Sequence, residues 1–419
     1  MRRAATETRI AADWLADPRL ARLFSAIERD GDAAYVVGGA VRNTLLGLPA
    51  GDVDVATTAL PALVMERARA AGLKPVPTGI EHGTITVVVE GHPFEVTTLR
   101  QDVESHGRHA TVAFGRDWSV DAHRRDFTMN ALYVSLDGIV HDFVGGIADC
   151  LAGRVRFIGA PERRIAEDRL RILRFFRFHA AYGRGAPDAA GLAAAIAARD
   201  GLDGLSAERI GQETVKLVVA EGAPATVAAM SDAGLLQRVL GRAVDLGGFG
   251  RVHALAAACG RPARRPGEAA PFLAALAGWS EGDAVALAAR LRLANAMRER
   301  MVRAIAAARG VNGGGIAAVD RLLFETGREG AQDALAIAHA RGRLDGPTTR
   351  EALAACDRPV PVLPITGKDL LQLGVLPGPA VGRLSAAARE RWKAGNFVDS
   401  REKLLQFLRS EIGRILANS

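Results

Sequence analysis

Val36-Val37-Gly38-Gly39-Ala40-Val41-Arg42-Asn43, followed by Leu45-Leu46-Gly47 and then by Asp52-Val53-Asp54, is the stretch on which the reading of this chain turns. An apolar strand ends in paired glycines and a helix begins. Paired glycines let backbone approach a ligand closely, and the free N–H groups of a helix N-terminus attract phosphate. Gly-Gly at a strand-to-helix turn is also commonly just a turn. Arg42 adds a candidate bidentate phosphate contact. Asp52 and Asp54 sharpen the reading, because residues i and i+2 of a strand project from the same face. Two carboxylates there repel each other unless a cation sits between them, and hard oxygen ligands suit Mg²⁺. An isolated Asp-x-Asp pair would be two solvated aspartates. Behind a Gly-Gly turn it becomes a candidate metal site for a nucleotide. Glu95, in Phe94-Glu95-Val96-Thr97-Thr98, is either an outward-facing glutamate or, on a neighbouring strand, the residue that completes the metal cage.

Around this stretch the chain changes character. Runs rich in Val, Ile, Thr and Phe predict strands at 33–37, 53–57, 83–90, 93–99, 131–136 and 139–141. Beyond about residue 160 strand signals fade, and Ala-rich amphipathic segments predict helices at 167–182, 189–198, 207–220, 269–277 and 284–292. An α+β chain follows, with a small mixed sheet flanked by helices leading into an all-helical remainder. Gly and Pro mark breaks at 222–224, 260–266, 310–315 and 359–364. At 419 residues, two to four domains of about 100–200 residues each are expected. The partition reads as an N-terminal helical segment 1–30, a head 31–155, a helical neck 156–225, a body 226–360 and a tail 361–419.

Composition excludes other classes. Apolar residues make up 49% and charged residues 24%, a globular balance that rules out wholesale disorder. No charge-free apolar run is long enough to span a membrane, and Met1-Arg2-Arg3 leads into mixed charge and not a signal core, so a cytoplasmic protein is expected. Three scattered cysteines, Cys150, Cys259 and Cys356, argue against a disulfide framework or a cysteine zinc site. The net charge of +7 is modest, but the arginines cluster. Residues 154, 156, 163, 164, 169, 171, 174 and 177 are all Arg, against three acids, Glu162, Glu167 and Asp168, in the same span. A local field of this kind is what a phosphate-rich partner requires.

Two further constellations lie downstream. Asp121-Ala122-His123-Arg124-Arg125-Asp126-Phe127-Thr128-Met129-Asn130 reads as an Asp N-cap ahead of a helix, or as arginines that contact triphosphate and ribose. Glu167-Asp168-Arg169-Leu170-Arg171 continues through Arg174 and Arg177. On one helix Asp168 and Arg171 would be i, i+3 neighbours, and a simple ion pair would explain them. The row Arg171, Arg174, Arg177 lays like charge along one helix, which costs stability unless an anion offsets it.

In this order the motifs resemble those of the class II tRNA nucleotidyltransferase and bacterial poly(A) polymerase family. GGAVRN, LLG and DVD match its head motif, RRDFTMNAL its ribose-reading motif, EDRLR its base-reading motif and AERIGQE, at 207–213, its neck motif. HDFVGGIAD matches its connecting segment, and TGKDL at 366–370 its C-terminal part. The family usually has Asp where this chain has Asn43, which argues against a metal ligand there. No zinc-dependent HD domain is visible.

The resemblance implies nucleotidyl transfer, in which an RNA 3′-hydroxyl attacks the α-phosphate of a nucleoside triphosphate and pyrophosphate leaves. It implies Asp52, Asp54 and Glu95 as catalytic residues, with two Mg²⁺ ions on Asp52 and Asp54. Gly38, Gly39 and Arg42 would grip the triphosphate, and Arg124, Arg125, Asp126 and Asn130 would meet the sugar and phosphates. Asp168 and Arg171 would read the base, with Arg174 and Arg177 also among the nucleotide-binding residues. An acceptor beside a donor complements the Watson–Crick edges of C and A, whereas U and G present the reverse order. Each mismatch costs about 1–3 kcal/mol. CTP and ATP are therefore the expected substrates and the tRNA 3′ end the expected partner, with CCA addition as the reaction. Poly(A) polymerase, a CC-adding or A-adding specialist, and a catalytically dead RNA-binding protein are the alternatives. Residues 100–120 are long enough to form the mobile loop that CC-adders are expected to lack.

Overall fold

The computed structural model describes residues 7–106, 109–260, 265–313 and 315–417. It falls into two units, one reaching to Val239 and one beginning at Leu240. In the first, nine strands form among the described residues, β1 (Ala34–Val37), β2 (Asp54–Thr57), β3 (Lys74–Gly79), β4 (Thr84–Val89), β5 (His92–Thr98), β6 (Arg100–His106), β7 (His109–Phe114), β8 (Leu132–Val134) and β9 (Val140–Asp142), of which β1, β2, β4, β5, β8 and β9 fall on the expected runs. Seven of them make one sheet in the order β3-β4-β5-β2-β1-β8-β9. The sheet is mixed, since β2 and β5 run parallel while β1 pairs antiparallel with both β2 and β8.

Strand β3 was not predicted. Pro75 and Pro77 mask it, and prolines are tolerated because β3 is an edge strand. The hairpin β6–β7 was missed too. Within residues 100–120, the span long enough for a mobile loop, the described residues carry this two-stranded ribbon and, from Trp118, the start of a helix.

Helices α1 (Pro18–Ile27), α2 (Gly39–Leu45), α3 (Pro61–Ala70), α4 (Trp118–Arg124) and α5 (Gly146–Ala152) flank the sheet. α1 starts where Asp17 accepts from the Arg19 N–H and Pro18 presets the first turn; it buries Leu20, Leu23, Phe24 and Ile27. Five helices follow, α6 (Pro161–Glu167), α7 (Leu170–Tyr182), α8 (Ala189–Ala197), α9 (Ala207–Val218) and α10 (Ala223–Asp232). The single helix expected over 167–182 is broken. Asp168 is extended, at φ −152° and ψ 109°, and separates α6 from α7. α7 buries Ile172, Leu173, Phe175, Phe176 and Phe178 and packs against α9 and α10.

α11 (Leu235–Leu240) leads to the second unit, whose described regular elements are all helices: α12 (Leu246–Ala258), α13 (Ala270–Ala277), α14 (Glu281–Arg290), α15 (Asn295–Arg309), α16 (Ile316–Ala340), α17 (Gly346–Ala355), α18 (Gly367–Gln372), α19 (Pro379–Ala394) and α20 (Arg401–Ala417). α13 is buried along its whole length. A separate cluster of Leu370, Leu384, Ala388, Trp392, Leu404 and Leu408 organises the last three helices. The predicted breaks at 260–266 and 310–315 include residues outside the described set. Among the described residues, no helix is long and apolar enough to cross a membrane.

Candidate active site

The sheet brings the acids of the first motif together. Asp54, the first residue of β2, stands opposite Val37, whose next residue is the turning glycine Gly38. Gly38 sits at φ 79°, a conformation that glycine adopts without penalty. Val55 is opposite Val96 on the parallel neighbour, so Asp54 and Glu95 lie one step back along adjoining strands. Asp52 precedes the strand, in a bend, and is not itself a strand residue as its spacing suggested.

The consequence is electrostatic. The Asp54 carboxyl is pushed up to about 6, first by burial and then by the charges of Glu95 and Asp52, with Arg125 pulling the other way. Three acids and Arg125 thus feel one another at the open end of β2. Among the described residues no three His, Cys, Asp or Glu side chains close into a ready-made cage, so Glu95 does not complete one with the two aspartates as they stand. The donor set nevertheless fits Mg²⁺. Its ligands are hard oxygens, and their repulsion is what a divalent cation would relieve.

The second motif supplies the opposite charge. The N-cap of α4 is Asp117, which accepts from the Ser119 and Val120 N–H groups; Asp121, expected to be the cap, lies inside the helix. There it is 1% exposed, and it accepts from Arg124 Nε at 2.8 Å, Arg125 Nη2 at 3.0 Å and the Tyr133 hydroxyl at 2.7 Å. Burial would raise its carboxyl, but Arg125 and Arg124 hold it down at about 2. Asp121 therefore fixes both arginines in direction, a role that its sequence position did not reveal.

A buried polar chain joins this motif to the first. Asp126 accepts from Arg174 at 2.8 and 2.6 Å and from Asn130 Nδ2 at 3.1 Å. Asn130 Oδ1 accepts from Arg42 at 2.5 Å. Arg42 also donates to Asn43 Oδ1 at 3.1 and 2.9 Å and to the Tyr182 hydroxyl at 2.7 Å, with its guanidinium 4.0 Å from the Tyr182 ring centre. Arg42, expected to project toward phosphate, is thus 6% exposed and bonded inward. Asp126 and Asn130 are likewise buried and engaged within the protein. Arg42, Asp126, Asn130 and Arg174, which the sequence presented as separate ligand contacts, are joined here into a connected framework.

The third motif departs most from expectation. With Asp168 outside α7, it and Arg171 are not helix neighbours that pair. Asp168 accepts from Arg209 at 2.6 Å and from the Leu170 N–H at 3.0 Å. Arg171 donates through Nη1 to Glu167 and to the Arg164 carbonyl. Arg174 pairs with Asp126 and Arg177 with Glu213 at 2.5 Å. The arginine row is offset by the protein's own acids. Six of the eight clustered arginines have carboxylate partners, with Arg154 and Arg156 both on Asp149. Asp126 and Glu213 come from distant sequence, so local charge counting could not find them. Arg209 and Glu213 belong to the AERIGQE stretch; α9 uses them, one turn apart, to hold Asp168 and Arg177. The connecting segment is structural. Asp142 accepts from four successive N–H groups, Val144 to Ile147, and a Cβ on Gly146 would lie 2.2 Å from the Thr128 carbonyl oxygen.

Comparison with known proteins places these features. Residues 34–156 match the Poly A polymerase head domain family. Over 399 residues the chain is 31% identical to a CCA-adding enzyme of Limosilactobacillus fermentum, covering 92% of this chain and 94% of that one. Over 208 residues it is 42% identical to the mitochondrial CCA tRNA nucleotidyltransferase 1 of Mus musculus, covering 48% of this chain and 47% of the mouse protein. Against the mouse, human and Danio rerio proteins the match spans about half of their length. The crystal structure of the Bacillus stearothermophilus CCA-adding enzyme in complex with CTP aligns with a TM-score of 0.75 at 29% identity, over 96% of this chain and 100% of that one. Its head, with the paired glycines, the two aspartates and the arginine-bearing motifs in one order, and its full-length likeness to the bacterial protein together show that this chain belongs to the CCA-adding enzyme family.

Proposed function

We propose that this chain is an Mg²⁺-dependent nucleotidyltransferase that builds the C-C-A end of tRNA from CTP and ATP. The observation that carries the reading is the gathering of Asp52, Asp54 and Glu95 at the open end of β2, where burial and then the two neighbouring charges lift Asp54 to about 6 beside Arg125. A folded protein tolerates such repulsion where a cation and a polyphosphate will neutralise it. Asp52 and Asp54 are the residues to hold Mg²⁺, with Glu95 beside them. When bound, the metal would favour the ionised form of the RNA 3′-hydroxyl and neutralise charge on the departing pyrophosphate.

The rest is done by the chain itself. Arg124 and Arg125, aimed by Asp121, meet the triphosphate, and Gly38 and Gly39 let backbone approach it. The 3′-oxygen forms its bond to the α-phosphorus as the bond to the bridging oxygen breaks, and pyrophosphate departs against these arginines. Asp168, steadied by Arg209, accepts from the exocyclic amine of C or A. Arg171, with Nη1 bonded to Glu167 and the Arg164 carbonyl, offers its remaining N–H groups to the ring acceptor. The names of the relatives, a CCA-adding enzyme and one in complex with CTP, support this choice of substrates. We further assign residues 31–155 to the catalytic head, 156–225 to the neck, and the later helices to a body and tail that meet the acceptor.

The test is incorporation of labelled CMP into a tRNA transcript lacking its last three nucleotides, for the wild type and for Asp52→Ala. The wild type should extend the transcript. The variant should keep transcript binding but retain no more than a few per cent of turnover, because its loss falls on the metal site and not on the phosphate contacts that hold RNA. Turnover near wild type in the variant would sink the assignment.

A further inference from the structure

Asn43 occupies a place in the framework that its departure from the family motif does not by itself explain. Its side chain lies between two groups of opposite and fixed character. Oδ1 faces the Arg42 guanidinium, a donor only, at 2.9 and 3.1 Å. Nδ2 faces two backbone carbonyls, acceptors only, of Pro49 at 2.8 Å and Ala50 at 3.4 Å. The amide orientation is therefore dictated, since a flipped Asn would set donor against donor and acceptor against acceptor. The Asn43 carbonyl in addition accepts from the Leu48 N–H at 2.8 Å, so the segment to Ala50 folds back on this one residue. Gly51 follows at φ 75°, and then comes Asp52.

We propose that Asn43 is a positioning residue that ties the Arg42 framework to the loop carrying Asp52, through an amide that a carboxylate cannot replace. An aspartate would still accept from Arg42. It would leave the carbonyls of Pro49 and Ala50 facing a second set of lone pairs, and the loop would be released two residues before the metal ligand. In this protein, then, Asn does what neither an acidic nor an apolar side chain can do. It holds one end of the active site to the other without adding charge beside the triphosphate turn.

The inference rests on the nucleotidyltransferase reading, and its test separates the two. Asn43→Asp and Asn43→Ala are compared with wild type in the full chain by three measurements: kcat for CMP addition to a tRNA transcript lacking its last three nucleotides, the melting temperature, and hydrogen exchange of the peptide covering residues 48–53. Asn43→Asp keeps the Arg42 contact and should melt above Asn43→Ala. Both variants should nevertheless lose about tenfold in kcat and show about tenfold faster exchange in that peptide, because both lose the clamp on the loop. A residue that merely holds the fold together would show kcat following melting temperature, with Asn43→Asp the more active variant; that result overturns the inference. Wild-type exchange and kcat in Asn43→Asp overturn it equally. A wild-type chain that adds no CMP overturns the nucleotidyltransferase reading, and the inference with it.

Discussion

Replacing Asp54 by Asn should make the metal-free protein more stable while destroying its activity. The folded-state carboxyl sits at about 6 against an ordinary 3.8. Each unit is worth about 1.4 kcal/mol, so the full difference corresponds to roughly 3 kcal/mol, reduced to about 2 kcal/mol for a group that water partly reaches. Because the folded value lies above the unfolded one, ionisation works against the fold. The contribution of Asp54 to stability is fully present below about pH 3.8 and is lost as pH rises through about 6. At pH 8, in EDTA, Asp54→Asn removes the whole penalty, and for a unit of this size about 2 kcal/mol raises the melting temperature by about 4–8 °C. At pH 5 wild-type Asp54 is largely protonated when folded, and the advantage should fall to roughly half. Mg²⁺ should raise the melting temperature of the wild type and leave the variant nearly unchanged. Thermal melts of both proteins at pH 5 and pH 8, with EDTA and with Mg²⁺, read all of this. A variant no more stable than wild type at pH 8 in EDTA, or a gain of equal size at both pH values, would refute the claim that the carboxylates are crowded.

Three other expectations are independent of this one. Arg171→Ala should reduce the preference for CTP over UTP by roughly tenfold, one matched contact being worth about 1.4 kcal/mol; kcat/KM for both nucleotides beside a melting curve checks it, and an unchanged ratio removes the base-reading role. Arg209→Ala should relax the same ratio by a smaller factor, since it frees Asp168 without removing it. Asp126→Asn breaks the buried pair with Arg174 and should cost about 3–5 kcal/mol in chemical denaturation, a loss under about 1 kcal/mol being incompatible with the framework described.

Much of the head was legible because its signals are local. β1, β2, β4 and β5 follow β-branched runs, and Gly38-Gly39 sits where an apolar strand must turn. β3 was hidden because Pro75 and Pro77 are strand breakers everywhere except at a sheet edge, and sequence does not say which strand is at the edge. The site was legible as a set of residues and not as a set of partners. Asp168 and Arg171 read as a helical pair because spacing assumes an unbroken helix, and the extended backbone at Asp168 voids that assumption. Arg42 read as a phosphate ligand because nothing near it in sequence announces Asn130, 88 residues on, or Tyr182, 140 residues on. Arg209 and Glu213 carried a signal, since their motif was visible, but its chemistry needed the packing of α9 on α7.

The most direct measurement is the sequence of the product. A tRNA transcript ending at the discriminator base is incubated with the wild-type chain, Mg²⁺ and all four nucleoside triphosphates at equal concentration, and the extended 3′ ends are sequenced. C-C-A is expected on nearly every extended molecule, with U and G excluded and no growth beyond the third position. A ladder of A residues, termination after two C residues, or free incorporation of U or G would contradict it.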